Sequence, residues 1–225
     1  MRIERGPQKP PYEKVKLDMS KEALMKTVNE VLPTLHGWCS PPKADKLIEI
    51  ILENKPSICV EIGVFGGSSL VPQALALYYN KHGIIYGIDP WANDAALEEM
   101  IHEDHKSWWQ ILNLEEVYEK CKYSLSLLGV EKYCVLIRDK SENAYLKFED
   151  ESIDLLHIDG NHSEVLSYKD ATLYFPKVKS GGYIFFDDIW WTENQQVTTR
   201  KAVLYLMERC TRIDLIEDCL VLKKN

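Results

Sequence analysis

Hydrophobic residues along this chain fall into short β-branched runs that alternate with longer stretches of helical spacing. The short runs predict buried parallel strands at residues 57–62, 84–88, 133–137, 152–158 and 183–186. The longer stretches predict helices at 70–79, as a pair within 94–128, at 163–175 and near 197–210. Two short strands are expected to follow at 213–216 and 220–222. This order predicts an α/β fold with a seven-stranded, mostly parallel sheet, helices on both faces and an antiparallel last strand.

The first 40 residues precede this pattern and differ in composition. Residues 1–19 are polar and contain three prolines, which is typical of an arm without its own core. Ser20 is a candidate N-cap for a short helix, and Ser40, followed by two prolines, predicts the start of another. We therefore predict an N-terminal arm and helical extension over residues 1–40 and a main domain over residues 41–225.

Charge and composition restrict the classes of partner. The formal net charge is −8 and no cluster of lysines and arginines offsets it, so nucleic acid is not an expected partner. No apolar run reaches the roughly 18–20 residues of a membrane span, and the charged N-terminus has no apolar core of a signal peptide. The six cysteines include no Cys-x-x-Cys pair and are interpreted as buried thiols of a reducing compartment. These features predict a cytoplasmic protein without a membrane partner.

A glycine-rich loop follows the first predicted strand and precedes a helix. Residues 60–69 contain three glycines and two serines, and bare N–H groups at the mouth of a helix bind nucleotides or carboxylates. Phe65 occupies the place of the second glycine in the dinucleotide fingerprint, where a pyrophosphate needs close backbone approach. This disfavours NAD and FAD. A ligand with a carboxylate and a ribose but no phosphate fits better, and S-adenosylmethionine has both groups.

Four of the five parallel strands end in polar residues, and ligands bind beyond the carboxyl ends of such strands. Asp89 ends the second strand, where a carboxylate meets ribose hydroxyls in nucleotide-binding folds; the alternative is a turn or helix-cap residue. Asp159 ends the fourth strand, and Asp187 and Asp188 end the fifth. The sequence therefore predicts a ligand site at this edge of the sheet.

Taken together, these segments resemble the class I S-adenosylmethionine-dependent methyltransferases, which have a Rossmann-like fold. Within that class the chain is similar to metal-dependent small-molecule O-methyltransferases, particularly those of the macrocin and mycinamicin sugar-methyltransferase type. The resemblance is carried by residues 61–69, 87–91, 154–163 and 179–188. The Asp-Gly-Asn-His element within 154–163, together with the later Asp-Asp, is its most specific part.

The resemblance implies roles for individual residues. The cofactor S-adenosylmethionine is expected to contact Glu61, Gly63, Phe65, Gly66, Ser69, Asp89, Ser141 and Asp159. Among these, Asp89 would bind the ribose and Ser141 the adenine. The metal ligands would be Asp159, Asp187 and Asp188, and the catalytic residues would be His162, as general base, and Asp159.

Elementary chemistry supports a metal at these positions. Three bare carboxylates at the ends of adjacent strands would repel one another, and a hard divalent cation, most simply Mg²⁺, would relieve the repulsion. Such a cation acidifies a hydroxyl, and a histidine with an ordinary pKa near 6.5 could then take the proton. The alternatives are that Asp187 and Asp188 cap the next helix and that His162 is a loop histidine without a chemical role.

The sequence therefore predicts methyl transfer to a hydroxyl of a small polyhydroxylated acceptor, either a sugar or a catechol-like ring. The alternatives are an NAD-dependent oxidoreductase on the same type of sheet and a non-catalytic nucleotide-binding protein. The extension and the tryptophan-bearing 92–118 insertion could bury surface between subunits, so a homo-oligomer is left open.

Overall fold

The computed structural model describes residues 20–225, except for the side chain of Asp104, and the predicted arm over residues 1–19 lies outside this range. The helices are α1 Lys21–Val31, α2 Pro41–Asn54, α3 Leu70–Asn80, α4 Asn93–Ala96, α5 Glu103–Ile111, α6 Leu114–Leu127, α7 Ser141–Ala144, α8 Glu164–Tyr174 and α9 Arg200–Met207. The strands are β1 Ile58–Ile62, β2 Ile84–Ile88, β3 Cys134–Ile137, β4 Ile153–Ile158, β5 Val178–Phe186, β6 Thr192–Glu193, β7 Gln196–Val197, β8 Cys210–Ile216 and β9 Cys219–Lys224.

Seven strands form one sheet in the order β3-β2-β1-β4-β5-β9-β8. Strands β1 to β5 pair in parallel, and β9 runs antiparallel to both β5 and β8. The predicted seven-stranded, mostly parallel sheet with an antiparallel last strand is therefore confirmed. The chain order reverses between β1 and β4, where Ile62 lies opposite Ile158. A ligand crevice is expected beyond the carboxyl ends of strands at such a reversal.

Hydrophobic clusters cover both faces of the sheet. One cluster joins α1, α2 and α3 and includes Leu24, Leu47 and Leu75. The other joins α8 and α9 to the sheet and includes Tyr174 and Leu206. Helices therefore lie on both faces, as predicted. Helix α1, from the predicted extension, shares its cluster with the helices of the main domain; the boundary at residue 40 stays a prediction.

Serine side chains cap the helices that position the site. The Oγ atoms of Ser20, Ser40 and Ser163 accept hydrogen bonds from the first turns of α1, α2 and α8 at 3.1, 3.4 and 3.2 Å. The predicted caps at Ser20 and Ser40 are confirmed. Lys43, whose backbone N–H donates to Ser40 Oγ, lies in the first turn of α2, and its side chain is buried.

The structure differs from the predicted elements in two places near the ligand edge. The segment predicted as two helices contains three, α4 to α6, and residues 192–197 form a hairpin of β6 and β7. The hairpin strands are two residues long, too short to produce an alternating pattern. Within residues 20–225, no helix has both the length and the apolar character that crossing a membrane requires.

Candidate active site

A cavity of about 630 Å³ opens at the carboxyl edge of the parallel strands, a volume typical of small-molecule sites. The predicted site residues that line it are Gly63, Phe65, Ser69, Asp89, Ser141, Asp159, His162, Asp187 and Asp188. Two predicted residues, Glu61 and Gly66, do not line it. The fold thus gathers side chains from the ends of β1 to β5 around one space.

The glycine loop is shaped by close backbone packing. Gly63 has φ +84°, and a Cβ there would lie 1.9 Å from the carbonyl oxygen of Asp159, so only glycine fits. A Cβ on Gly66 would lie 2.2 Å from the Cβ of His36, so a side chain at this position would clash with the extension. The predicted cofactor contact of Gly66 stays a prediction. Phe65 itself has φ +48°, a conformation that costs a bulky residue roughly 1–3 kcal/mol.

Asp89 holds this loop directly. Its Oδ2 accepts hydrogen bonds from the backbone N–H groups of Val64 and Phe65 at 3.1 and 2.9 Å. Its Oδ1 accepts one from Trp91 N at 2.7 Å. Burial raises the pKa of Asp89, and these N–H donors oppose the shift. Asp89 therefore stabilises the strained Phe65 conformation, and its predicted contact with the ribose stays a prediction.

Glu61 holds the end of the glycine loop through hydrogen bonds to its side chain. The side chain is fully buried, and its carboxylate accepts hydrogen bonds from Ser69 Oγ at 2.9 Å and Gln73 Nε2 at 2.5 Å. The Ser69 hydroxyl is thereby turned toward Glu61. Glu61 joins the start of α3 to the end of β1, and its side chain has no access to the cavity.

A chain of buried charges runs from Glu61 to helix α2. His157 lies between two carboxylates, with Nδ1 3.2 Å from Glu61 Oε2 and Nε2 2.7 Å from Asp187 Oδ2. Lys43 Nζ donates to the same oxygen of Asp187 at 2.7 Å. Burial would lower the pKa of His157, but the two carboxylates outweigh it and raise the pKa to about 10. Burial would raise the pKa of Asp187, but His157 and Lys43 hold it well below its usual value. The predicted strand-end carboxylate is thus ionised and held by two cations.

His162 lies between the other two predicted carboxylates. Its Nε2 is 3.0 Å from Asp188 Oδ2 and 3.7 Å from Asp159 Oδ1. Burial would lower the pKa of His162, but Asp159 and Asp188 outweigh it and raise the pKa to about 10. Burial and the charge of Asp187 raise the pKa of Asp159 to about 6. Without a bound cation, the protonated ring of His162 therefore partly neutralises the carboxylates of Asp159 and Asp188.

The arrangement of ligand atoms is compatible with a divalent cation. Atoms close enough to share one ion form two overlapping sets within the described residues: His157, Asp159 and Asp187, and Asp159, His162 and Asp188. The three predicted aspartates do not form a single set, but Asp159 belongs to both. Asp187 Oδ1 is buried and has no hydrogen-bond partner. An unpaired buried carboxylate oxygen is costly, and oxygen ligands suit Mg²⁺ or Ca²⁺. The residues present fit such an ion.

The predicted adenine contact, Ser141, is fixed by helix α8. Its hydroxyl donates to Asp170 Oδ1 at 2.5 Å, and its carbonyl accepts a hydrogen bond from Tyr174 OH at 2.9 Å. Asp170 is almost fully buried and lines the cavity. Sequence reasoning missed Asp170, because its neighbours in the predicted helix, Lys169 and Thr172, are also polar and give it the appearance of a surface residue.

Aromatic side chains surround the mouth of the cavity. The ring of Phe65 contacts Trp38, Trp108 and Trp109, with ring centroids 5.2, 6.1 and 5.7 Å apart. Trp38 is 68% exposed although it lines the cavity. His105 is half-buried and packs at a tilt against Trp191, another lining residue, with ring centroids 4.9 Å apart. The sequence could not indicate this, because α5 reaches the mouth only through tertiary packing.

Known proteins are similar to this chain at the level of family and fold. A family model described as a methyltransferase domain matches residues 60–189, more than half of the chain. An O-methyltransferase from Bacillus cereus in complex with S-adenosylhomocysteine is 12% identical over 92% of each chain, with a TM-score of 0.62. An O-methyltransferase of tomaymycin synthesis from Streptomyces achromogenes, in complex with S-adenosylmethionine, is 17% identical over 91% of this chain and 90% of that chain, with a TM-score of 0.61. A methyltransferase from Podospora anserina, bound to S-adenosylhomocysteine, is 14% identical over 90% and 88%, with a TM-score of 0.62. A comparison with curated protein sequences finds no match.

Proposed function

Because this chain belongs to the methyltransferase-domain family, we propose that it transfers the methyl group of S-adenosylmethionine to a hydroxyl of a small molecule, assisted by a divalent metal. One observation carries the proposal. A single cavity joins the glycine loop after β1 to the cluster of Asp159, His162 and Asp188 after β4 and β5. A methyl donor held by the loop and an acceptor held by the cluster would therefore share one space.

The cofactor half of the cavity suits S-adenosylmethionine. The Ser68–Ser69 segment precedes the N-terminus of α3 and would receive the methionine portion there. The backbone N–H groups of Val64 and Phe65 already donate to Asp89 and hold the loop in shape. The positively charged sulfonium would then lie toward the strand-end carboxylates, which attract it. Phe65 closes the position that a pyrophosphate would need, so the NAD-dependent alternative finds no support here.

The acceptor half of the cavity suits a hydroxylated molecule. Asp159 belongs to both sets of ligand atoms, and a divalent cation held by Asp159 together with Asp188 would orient the acceptor and acidify its hydroxyl. The hydroxyl oxygen would attack the methyl carbon in line, breaking the carbon–sulfur bond, and S-adenosylhomocysteine would leave with the bonding electrons. With a cation bound at Asp159 and Asp188, His162 would no longer neutralise these two carboxylates, and its Nε2 would accept the hydroxyl proton.

The aromatic mouth narrows the choice of acceptor. Trp38 and Trp108 line the cavity and pack against each other at a tilt, with ring centroids 5.6 Å apart. Aromatic pairs gain roughly 0.5–1.5 kcal/mol beyond the area that they bury. A catechol-like ring would use these contacts, whereas a bare sugar would not use them fully. We therefore place vicinal diols on aromatic or aromatic-substituted molecules first among the acceptors.

The test uses the full chain, labelled S-adenosylmethionine and a panel of catechol and sugar acceptors. We expect labelled methyl transfer with Mg²⁺, loss of transfer in EDTA, and recovery when Mg²⁺ is restored. Asp188→Asn should weaken the response to Mg²⁺, whereas Asp150→Asn, in an exposed ion pair, should leave it unchanged. Calorimetric binding of NAD without binding of S-adenosylmethionine would contradict the cofactor assignment, and full activity in EDTA would contradict the metal.

A further inference from the structure

Asp170 is a buried acid that the proposed chemistry does not use. It lies on the inner face of α8, is 3% exposed, and lines the cavity beside Ser141 and Gly160. Oδ1 accepts the hydrogen bond from Ser141, and a Cβ built on Gly160 would lie 3.1 Å from Oδ2. Within residues 20–225, no hydrogen bond to Oδ2 is formed. One carboxylate oxygen is thus fixed, and the other remains an unpaired acceptor at the cavity wall.

Neighbouring acids at this end of the cavity already have cationic partners. Lys140 Nζ lies 2.5 Å from Glu98, and Lys169 pairs with Glu142. Asp170 has no such ion pair among the described residues. Burial raises its pKa to about 7, which is the expected result when a carboxylate lacks a compensating charge. A buried carboxylate without a compensating charge is costly, so a ligand that donates a hydrogen bond to Oδ2 would reduce that cost.

Sheet order identifies the part of the ligand that reaches Asp170. The carboxylate cluster lies after β4 and β5, and the methyl group must face it. With the methionine portion at the loop after β1, as in the proposed function, the nucleoside would extend over β2 and β3. Ser141 follows β3, and its hydroxyl is hydrogen-bonded to Asp170. The base of the cofactor would therefore lie closest to Asp170.

We propose that Asp170 is a specificity-determining residue for the adenine base, with Oδ2 accepting a hydrogen bond from the exocyclic 6-amino group while Ser141 holds Oδ1. The proposal rests on the proposed function, because it requires the adenosyl cofactor. The 6-amino group is the N–H donor of adenine, and a carboxylate has only acceptors when ionised. A base with a 6-oxo group would instead place its carbonyl oxygen against Asp170 Oδ2, and two hydrogen-bond acceptors would repel each other.

The test compares the affinities of S-adenosylhomocysteine and S-inosylhomocysteine by calorimetry. We expect the wild-type chain to bind the adenine form about 10- to 100-fold more tightly, as is typical of a lost hydrogen bond to a charged group. Asp170→Asn offers an amide donor, so the preference should fall below about 3-fold or reverse toward the 6-oxo form. Glu164→Gln, on the exposed face of the same helix, should keep the wild-type ratio.

The ratio of the two affinities separates recognition from a structural role. If Asp170→Asn weakened both ligands equally, or if it kept the wild-type ratio, the proposal would be overturned. Equal affinity of the wild-type chain for both ligands would overturn it without any variant. Failure of the wild-type chain to bind either ligand would instead refute the adenosyl cofactor and, with it, the proposed function.

Discussion

Lys43→Met tests the buried charge chain beneath the active site. The substitution keeps an unbranched side chain, one atom shorter, and removes the ammonium group that lies 2.7 Å from Asp187 Oδ2. Breaking a buried ion pair leaves an uncompensated charge and costs about 3–5 kcal/mol. His157 still donates to the same oxygen, so we expect a loss near the lower limit, about 3 kcal/mol. For a chain of this size, about 3 kcal/mol corresponds to a fall in Tm of roughly 6–12 °C.

Lys46→Met is the matched control, one turn later on the same helix. Its ammonium is 3.0 Å from Glu49 and 3.6 Å from Asp214, in partly exposed pairs, which contribute about 0–1 kcal/mol. Both variants should be measured by urea denaturation and thermal melting at pH 7.5 in chelated buffer. Raising the salt concentration should reduce the small effect at Lys46 and leave the effect at Lys43. Equal losses of stability in the two variants would show that Asp187 does not depend on Lys43.

The remaining predictions concern His162, Asp170 and Trp38. His162→Ala should slow methyl transfer by roughly 100-fold or more and leave the Kd of S-adenosylhomocysteine unchanged. The control His82→Ala, at an exposed position, should alter neither the rate nor the Kd. Unchanged turnover in His162→Ala would show that His162 does not transfer the proton. Burial raises the pKa of Asp170 to about 7 in the folded state, so the folded state binds this proton more tightly than the unfolded chain does. The contribution of Asp170 to the free energy of unfolding should therefore fall as the pH rises from about 4 to 7. Asp170→Asn should remove up to about 1.4 kcal/mol of this loss per pH unit, and urea titrations that give the same slope in both proteins would contradict it. Trp38→Ala should raise the KM for an aromatic acceptor about 10-fold and lower the free energy of unfolding by less than about 1.5 kcal/mol. The control is Trp190→Ala, because Trp190 is also exposed but does not line the cavity. This variant should leave the KM unchanged.

The fold could be predicted from the sequence because its signals are local. Each parallel strand is a short apolar run bounded by turn residues, and the alternation of strands and helices leaves few topologies. The carboxylates after β2, β4 and β5 could be placed at one edge by the same reasoning, since parallel strands end together. The hairpin at 192–197 could not, because two-residue strands carry no periodicity.

The partners of the predicted site residues could not be read from the sequence. Lys43 and Asp187 are 144 positions apart, and only the packing of α2 against the sheet brings them together. Asp89 was predicted to face a ribose, yet much of its hydrogen-bonding capacity holds the backbone at Phe65. Asp170 could not be identified for a related reason. Its role depends on its burial and on the lack of an ion pair, and both become visible only in the folded structure.

The position of Lys43 in α2 affects where this chain can be cut to make a fragment or to exchange a domain. The segment that matches the methyltransferase family begins at residue 60 and ends at residue 189, so it contains Asp187 but omits the helix that neutralises it. The same segment omits β9, the strand that pairs with Tyr183–Phe186. A gene fragment cut at the limits of similarity would therefore carry the strand-end acids without their counter-charge and with an open sheet edge. Domain exchange between relatives should carry α2 and the C-terminal strands as part of the transferred unit.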